Sequence, residues 1–162
     1  KETEQWDAVI NIQGDEPFID PKNIDKAIEP LLSDKKVNVS TLAIKIKEKK
    51  ELFDINKVKV VVDKNNFALY FSRNFIPYDM VNAPLTESAF KKNIYYKHIG
   101  LYVYRRKYLM QFAKMKKSYL ENTEKLEQLR ILENGERIKI VITKKDSFSV
   151  DTKTDLKNLN GL

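Results

Sequence analysis

The sequence predicts an α/β fold in which a mixed sheet carries helices on its faces. Short apolar runs typical of strands alternate along the 162 residues with segments of helical period, as expected when helices connect neighbouring strands. Helix-capping signals stand at the start of several helical segments. The strand-like runs between residues 57 and 104 follow one another closely, which predicts an antiparallel excursion of the sheet. A chain of this length is expected to form one domain with its own core.

The first predicted elements are a strand and a helix joined by a polar turn. Residues 7–12 (DAVINI) predict a short buried strand, and the QGDEP turn (13–17) follows it directly. Asp20 is a suitable N-cap, and Pro21 fits the first helical position. The helical period is carried by Ile24, Ala27, Ile28, Leu31 and Leu32. Pro30 lies within this helix and is expected to kink or shorten it.

Runs of β-branched and aromatic residues in partial alternation predict further strands. They cover residues 37–46, 57–63, 67–73, 94–104 and 137–143. The Lys64-Asn65-Asn66 connection between the second and third of these runs predicts a hairpin. Residues 80–93 show no clear period, so we expect a loop there.

Two capping-box patterns predict helices in the C-terminal part of the chain. Ser118 and Glu121 have the Ser-x-x-Glu spacing, and Gly135 is a suitable helix stop. The apolar stripe of this helix is expected to consist of Leu126, Leu129 and Leu132. Thr152 and Asp155 repeat the spacing and predict a short terminal helix.

Composition excludes several functional classes, but the net charge of the chain does not identify a binding partner. The chain has no cysteine, which excludes disulfides, thiolate zinc sites and cysteine nucleophiles. No run approaches the roughly 20 apolar residues that span a bilayer, and the first residues lack a signal-peptide pattern, so we expect a cytoplasmic protein without membrane association. The net charge of +7 comes from lysines scattered in short pairs, which favours a solvated surface over a nucleic-acid interface.

Two aspartates that follow predicted strands are candidate magnesium ligands. Asp15 lies on the QGDEP turn, beside Gly14, which allows close approach of a ligand. Asp151 also lies between a strand end and a helix start. Ligands in open α/β sheets lie beyond the carboxyl ends of strands, and Mg²⁺ prefers carboxylate oxygens together with substrate phosphates. The alternative is that each aspartate only caps the turn or helix that follows it.

Four other polar residues are candidates for ligand binding, each with a structural alternative. His98 is the only histidine, and a strand histidine is often simply a hydrogen-bonded structural residue. Arg73 ends a predicted strand, and its planar guanidinium suits a sugar carboxylate, although a surface ion pair explains it equally well. Glu127 and Gln128 could contact a polyol or face solvent. The glycine-rich phosphate-binding motifs of other nucleotide proteins are absent.

Several segments, taken together and in order, resemble the CMP-Kdo synthetase family, the 3-deoxy-manno-octulosonate cytidylyltransferases. The matching segments are VINIQGDEPFI, NVSTLAIKI, NKVKVVVDKNNFALYFSRNFIPYD, KHIGLYVYRRKYL, YLENTEKLEQLRILENGERIKIVI and VDTKTDL. The combination of QGDEP, ALYFSR, HIGLYVYR, LEQLR and VDT is specific to that family. The resemblance covers nearly the whole chain.

The resemblance implies a nucleotide-diphospho-sugar-transferase-like (Rossmann-like) fold whose antiparallel excursion serves dimerisation and sugar binding. It implies a homodimer that uses CTP and Kdo as substrates and Mg²⁺ as cofactor, in support of lipopolysaccharide synthesis. In the implied reaction, the anomeric hydroxyl of the sugar attacks the α-phosphate of CTP and pyrophosphate leaves. Asp15 and Asp151 match the family's magnesium-binding aspartates. The positions that match the sugar pocket are Gln13, Arg73, His98, Tyr102, Glu127 and Gln128.

The sequence departs from the family pattern at its beginning. Nothing before residue 7 resembles the Arg- and Lys-bearing loop that grips the triphosphate in family members. We therefore expect residues 1–162 to be the C-terminal part of a single cytidylyltransferase domain without its CTP-binding segment. We expect such a fragment to have little or no transferase activity alone, and the strand at 7–12 to have an uncovered edge.

Three other functions remain open at this stage. The first is a cytidylyltransferase for another acidic sugar, such as sialic acid or an 8-amino Kdo analogue. The second is a basic binding module for nucleic acid or another anionic partner, which the scattered lysines disfavour. The third is an inactive fragment that serves dimerisation only.

Overall fold

A mixed six-stranded sheet forms the centre of the structure, a computed structural model that describes residues 7–14 and 16–147. Its strands are β1 (Ala8–Ile12), β2 (Val39–Lys45), β3 (Lys59–Val62), β4 (Ala68–Ser72), β5 (Tyr96–Arg105) and β6 (Ile138–Thr143). The order is β4-β3-β5-β2-β6, and β1 pairs with β5. Only β2 and β6 pair in parallel. The predicted mixed sheet is therefore confirmed, as is the antiparallel excursion, which consists of β3, β4 and β5.

Six helices lie around the sheet in the described part of the chain. They are α1 (Pro21–Ser33), α2 (Lys49–Phe53), α3 (Glu87–Lys92), α4 (Arg106–Phe112), α5 (Tyr119–Glu124) and α6 (Gln128–Glu133). Because side chains alternate along a strand, β2 contributes to two cores. Leu42 and Ile44 pack with α1, whereas Val39 and Ala43 pack in a cluster that includes residues of α4 and α6. No helix in the part of the chain that the structure describes is long and apolar enough to cross a membrane.

The carboxyl ends of β1, β2 and β6 meet at one edge of the sheet. This follows because β5 is antiparallel to both β1 and β2, and β6 is parallel to β2. The segments that leave β1 and β6 also contact each other. Lys145 forms an ion pair with Asp20, and Asn23 donates to the Lys145 carbonyl at 3.0 Å. The turn that contains Asp15 therefore begins at the same edge as the segment that leads to Asp151.

The strand β1 is more exposed than its apolar run predicted, and its uncovered edge among the described residues agrees with the expectation drawn from the departure at the beginning of the sequence. Ile10 and Ile12 are 38% and 42% exposed, so the prediction of a buried strand is wrong for the described residues. The reason is that β1 pairs only with β5 among those residues, which leaves its other edge uncovered.

The helix α1 begins where it was predicted and continues past its proline. Asp20 accepts a hydrogen bond from the backbone N–H of Lys22 at 2.8 Å, which confirms the N-cap. Pro30 does not shorten the helix, which ends at Ser33; in the last turn the missing N–H costs a single hydrogen bond. Leu32 was predicted to carry the apolar period, but it is exposed.

The segment predicted as a loop at 80–93 contains the helix α3. Thr86 caps it by accepting a hydrogen bond from the backbone N–H of Ala89 at 3.2 Å. The helix is only six residues long, too short for a helical period to be recognised, and it buries Phe90 against Tyr95. The short helices α2 and α4 were not predicted for the same reason.

The single helix predicted behind Ser118 is two helices, α5 and α6, broken at Lys125. Lys125 has left-handed backbone angles, with φ 56° and ψ 44°. The Glu121 carboxylate accepts a hydrogen bond from the Ser118 N–H at 3.2 Å, and Gly135 ends α6 with φ +78°, so both predicted helix boundaries are confirmed. A buried bidentate pair between Glu121 and Arg130, with both N–O distances 2.6 Å, holds the two helices together. The stripe leucines Leu126 and Leu129 are buried, and Leu132 is partly buried.

Candidate functional site

A cavity of about 350 Å³ opens between the β3–β5 part of the sheet and the break between α5 and α6. Its lining residues are Gln13, Asn56, Val58, Arg73, His98, Tyr102, Lys125, Leu126, Glu127 and Gln128. All six residues that the resemblance assigns to the sugar pocket are among them. They come from four separate parts of the chain, so it is the fold that brings them together. Their role in binding stays a prediction.

The QGDEP turn is fixed to the middle of β5 by Gly100. The N–H of Gln13 donates to the Gly100 carbonyl at 3.1 Å, and the Gly100 N–H donates to the Glu16 carboxylate at 3.1 Å. A Cβ atom at residue 100 would lie 3.2 Å from both the Gln13 and the Glu16 side chains. Any larger residue would require these side chains to move by a few tenths of an ångström, so glycine favours the close packing of the turn against the strand. This contact brings Gln13 to the cavity.

His98 is held as a neutral imidazole by a buried threonine of the neighbouring strand. Thr41 donates its one hydroxyl proton to the Leu101 carbonyl at 2.5 Å, so the Thr41 oxygen accepts from Nε2–H of His98 at 2.9 Å. This leaves Nδ1 as an acceptor. Burial lowers the pKa of His98 to about 3. Phe71 packs edge-on against the ring, with centroids 5.5 Å apart.

Tyr102 brings a hydroxyl group to the cavity that is not hydrogen-bonded within the described residues. The residue is 3% exposed, and its ring lies 5.1 Å from that of His98. The buried hydroxyl has no partner in that part of the chain. Burial raises its pKa well above the usual value, so the phenol remains a neutral donor. Because a buried hydroxyl is normally satisfied, this one is a candidate contact for a ligand.

Arg73 is fixed by backbone carbonyls from both sides of the cavity. Its Nε donates to the carbonyl of Glu124 at 2.8 Å, and Nη2 donates to that of Lys125 at 3.4 Å. On the other side, Nη1 donates to the carbonyl of Ile55 at 3.1 Å. The guanidinium has five N–H donors, so one remains on each terminal nitrogen. The partners are uncharged carbonyl groups, which leave the positive charge of Arg73 available to an anion.

A buried lysine lies beneath the same wall of the cavity. Lys59 is fully buried and donates to the carbonyl of Asp54 at 2.7 Å, next to the carbonyl that Arg73 contacts. Burial lowers the pKa of Lys59 to about 8; the charge of Asp54 opposes this and that of Arg73 adds to it. Lys59 and Arg73 together fix the short segment that brings Asn56 to the cavity.

Glu127 and Gln128 reach the cavity because the helix is broken just before them. Gln128 is buried as the first residue of α6, and Glu127 is exposed. The Glu127 carboxylate lies 3.4 Å from Arg130. In the unbroken helix that the sequence predicted, these two residues would lie away from the apolar stripe, where they could either contact a ligand or face solvent.

The two predicted metal ligands cannot be placed, because Asp15 and Asp151 lie outside the described residues. Within residues 7–14 and 16–147, no group of three or more histidine, cysteine, aspartate or glutamate side chains is arranged to hold a metal ion. The magnesium site therefore stays a prediction. The predicted helix that begins at Thr152 also lies outside the described residues.

Sequence reasoning missed several residues that build the cavity. Thr41 gave no signal, because its role depends on pairing between β2 and β5. Gly100 was open to prediction, since a glycine inside a strand often marks a close backbone approach. Lys125 and Asn56 reach the cavity only through the arrangement of the chain around Arg73.

The described residues form an α/β fold with a polar cavity beside the sheet. The inositol-1-phosphate CTP transferase of T. maritima shares the fold at 15% identity, with a TM-score of 0.57 over 93% of this chain and 52% of that one. A structure of CMP:2-keto-3-deoxy-manno-octonic acid synthetase complexed with CTP is more similar, at 35% identity and a TM-score of 0.83, covering 96% of this chain and 61% of that one.

The family is shown by sequence. The model of the cytidylyltransferase family matches residues 1–138. The chain belongs to the cytidylyltransferase family. It is 51% identical over 157 residues to the 3-deoxy-manno-octulosonate cytidylyltransferase of Geotalea uraniireducens, covering 94% of this chain and 62% of that protein. The chain therefore spans about three fifths of the length of such relatives, and the resemblance to CMP-Kdo synthetases is confirmed.

The single histidine provides a direct check of the site's electrostatics. Because burial lowers the pKa of His98 to about 3, we expect its ring carbon and proton NMR signals not to shift between pH 5 and pH 8. Unfolding would expose the ring and restore a pKa of about 6.5. The unfolded state would then bind the extra proton below pH 6.5, so this group lowers stability as the pH falls. A titration with its midpoint near 6.5 in the folded protein would show that the ring is not buried as described.

Removing the unpaired hydroxyl of Tyr102 distinguishes a ligand-binding role of this group from a structural role. Tyr102→Phe removes a group without a described partner, so we expect the free energy of unfolding to change by less than about 0.5 kcal/mol. Affinity for an acidic sugar is expected to fall roughly tenfold if the hydroxyl contacts it. Chemical denaturation and calorimetric titration measure the two quantities. Destabilisation by about 1.5 kcal/mol or more, with unchanged affinity, would contradict the assignment.

Proposed function

We propose that this protein is a 3-deoxy-manno-octulosonate cytidylyltransferase, which transfers CMP from CTP to Kdo and releases pyrophosphate. The observation that carries the proposal is the meeting of all six sugar-pocket residues in one cavity. The names of the similar proteins support the same chemistry. Since the chain spans only part of their length, the activity is proposed for the full-length product of the gene that encodes it.

The cavity suits a polyhydroxylated acid. Arg73 has one free N–H on each terminal nitrogen and positive charge for a carboxylate. Tyr102 contributes a hydroxyl donor, His98 an acceptor nitrogen, and Gln13 and Gln128 amide groups that can donate and accept. A sugar acid presents the complementary set of hydroxyls and one carboxylate. The described site therefore supplies binding and orientation.

In the proposed reaction, the anomeric hydroxyl oxygen forms a bond to the α-phosphorus of CTP while the bond to the pyrophosphate oxygen breaks. The hydroxyl proton is released, and pyrophosphate leaves with the bonding electron pair. His98 is a poor base for this proton, because its pKa lies near 3 and its Nε2–H is already bonded to Thr41. His98 therefore acts by hydrogen-bonding the sugar. Such transfers depend mainly on positioning and charge neutralisation.

We propose Asp15 and Asp151 as the residues that hold Mg²⁺. The sheet supports this assignment, since β1 and β6 direct the segments that follow them toward one edge. The contacts of Asp20 and Asn23 with Lys145 join the described parts of those segments. Magnesium bound there would neutralise phosphate charge and make the attacking hydroxyl more acidic. Carboxylates at strand ends fit that ion, which prefers oxygen ligands.

We further propose a cytoplasmic homodimer. Several large apolar side chains in and beside the antiparallel excursion are exposed, and they offer a surface for a second copy. They are Phe53, Ile55, Leu69, Tyr78, Met80 and Val81.

The function and the metal role are tested together by pyrophosphate release from CTP. With the full-length gene product, we expect release that requires both Kdo and Mg²⁺. Asp15→Asn and Asp151→Asn each remove a metal ligand and are expected to lower kcat/KM by at least about 100-fold. Asp25→Asn, the same change at an exposed position on α1, is expected to leave it unchanged.

The other outcomes of this assay are equally informative. Release with sialic acid or 8-amino Kdo, but not with Kdo, would keep the reaction and change the substrate. No release with any sugar would contradict the proposed enzyme and favour a binding module or an inactive dimerisation fragment. Full activity of both aspartate variants would contradict the metal assignment. Sedimentation of the same preparation shows whether it is a dimer.

A further inference from the structure

Lys125 has an unfavourable backbone conformation at the wall of the cavity. Among the described residues, it and Asn66 are the only non-glycine residues with positive φ. Asparagine tolerates this region, whereas for lysine it costs roughly 1–2 kcal/mol. A strained residue of this kind persists where its surroundings fix it, and such residues cluster at binding sites. Here the conformation is fixed by Arg73, which donates to the carbonyls of Glu124 and Lys125.

The side chain of Lys125 carries a charge that the described protein does not neutralise. Lys125 lines the sugar cavity, and it also lines an adjoining pocket that includes Lys117. It is exposed and takes part in no salt bridge within the described residues. The nearby Glu127 carboxylate lies instead within ion-pair distance of Arg130, at 3.4 Å.

Lys125 and Arg73 are close enough to act on one ligand. The Lys125 carbonyl lies 3.4 Å from Nη2 of Arg73, so the lysine side chain starts beside the terminal nitrogen that has a free N–H. Its flexible four-carbon stem gives the ammonium group wide reach across the cavity. A carboxylate bound to the guanidinium is therefore accessible to a second positive charge from the other wall.

We propose that Lys125 is a second cationic contact for the carboxylate of the acidic sugar, which makes the site selective for sugar acids over neutral sugars. This inference rests on the proposed function and extends it. It explains why a lysine occupies a backbone position that favours glycine or asparagine: the ammonium is needed at the cavity, and Arg73 dictates the backbone. A contact to the nucleotide phosphates is the competing assignment.

The test is the effect of Lys125→Met on the KM for each substrate, measured by pyrophosphate release with the full-length gene product. We expect the KM for Kdo to rise roughly two- to fivefold, the range for an exposed charge contact, with kcat and the KM for CTP unchanged. Lys125→Arg is expected to restore a near-normal KM, because it keeps the charge. Lys117→Met is the matched control, since Lys117 lines only the adjoining pocket, and it should leave both constants unchanged.

The Lys125→Gly variant distinguishes the effect of losing the charge from the effect of relieving the backbone strain. Glycine adopts the left-handed conformation freely, so this variant is expected to be at least as stable as the parent while showing the same rise in the KM for Kdo. An unchanged KM for Kdo in Lys125→Met, or a rise only in the KM for CTP, would overturn the inference while the proposed function stands. Failure of the unmutated protein to turn over Kdo would overturn both.

Discussion

The arrangement of the site depends on the three hydrogen bonds from Arg73 to backbone carbonyls. These bonds join two segments far apart in sequence, one ending at Ile55 and the other at Glu124 and Lys125. A single planar group with donors in fixed directions sets the distance between the two walls of the cavity. The same bonds use the carbonyls exposed where the helix breaks, so they also support the separation of α5 from α6. The charge of Arg73 thereby becomes part of a rigid cavity wall.

The other polar groups of the cavity are held by packing against aromatic and other buried side chains. Phe71 and Tyr102 pack around His98, and Thr41 fixes its tautomer, so the ring has a defined orientation and no charge. Gly100 lets the turn after β1 lie against the same strand. The imidazole of His98 and the guanidinium of Arg73 are therefore positioned by contacts within the protein. Such preorganisation suits the proposed transfer reaction, because reactions of that kind depend mainly on positioning.

Sequence patterns predicted the parts of the fold that depend on neighbouring residues. The N-cap at Asp20, the β3–β4 hairpin and the stop at Gly135 follow from local chemistry. The break at Lys125 could not be predicted, because its cause is Arg73, about fifty residues earlier in the chain. The apolar run of β1 predicted a buried strand, whereas its uncovered edge was expected only from the comparison with the family pattern. For the site, motif resemblance identified six cavity residues, but the supporting residue Thr41 follows only from strand register.

The affinity of an Arg73→Lys variant for Kdo tests the central claim most directly. Lysine keeps the positive charge but cannot donate to three carbonyls in the geometry of a guanidinium. Calorimetric titration of the full-length gene product is expected to show an affinity at least about tenfold weaker than that of the parent protein, since both cavity walls lose their connection. Unchanged affinity would contradict the account, because charge alone would then be sufficient and the carbonyl contacts would not organise the site.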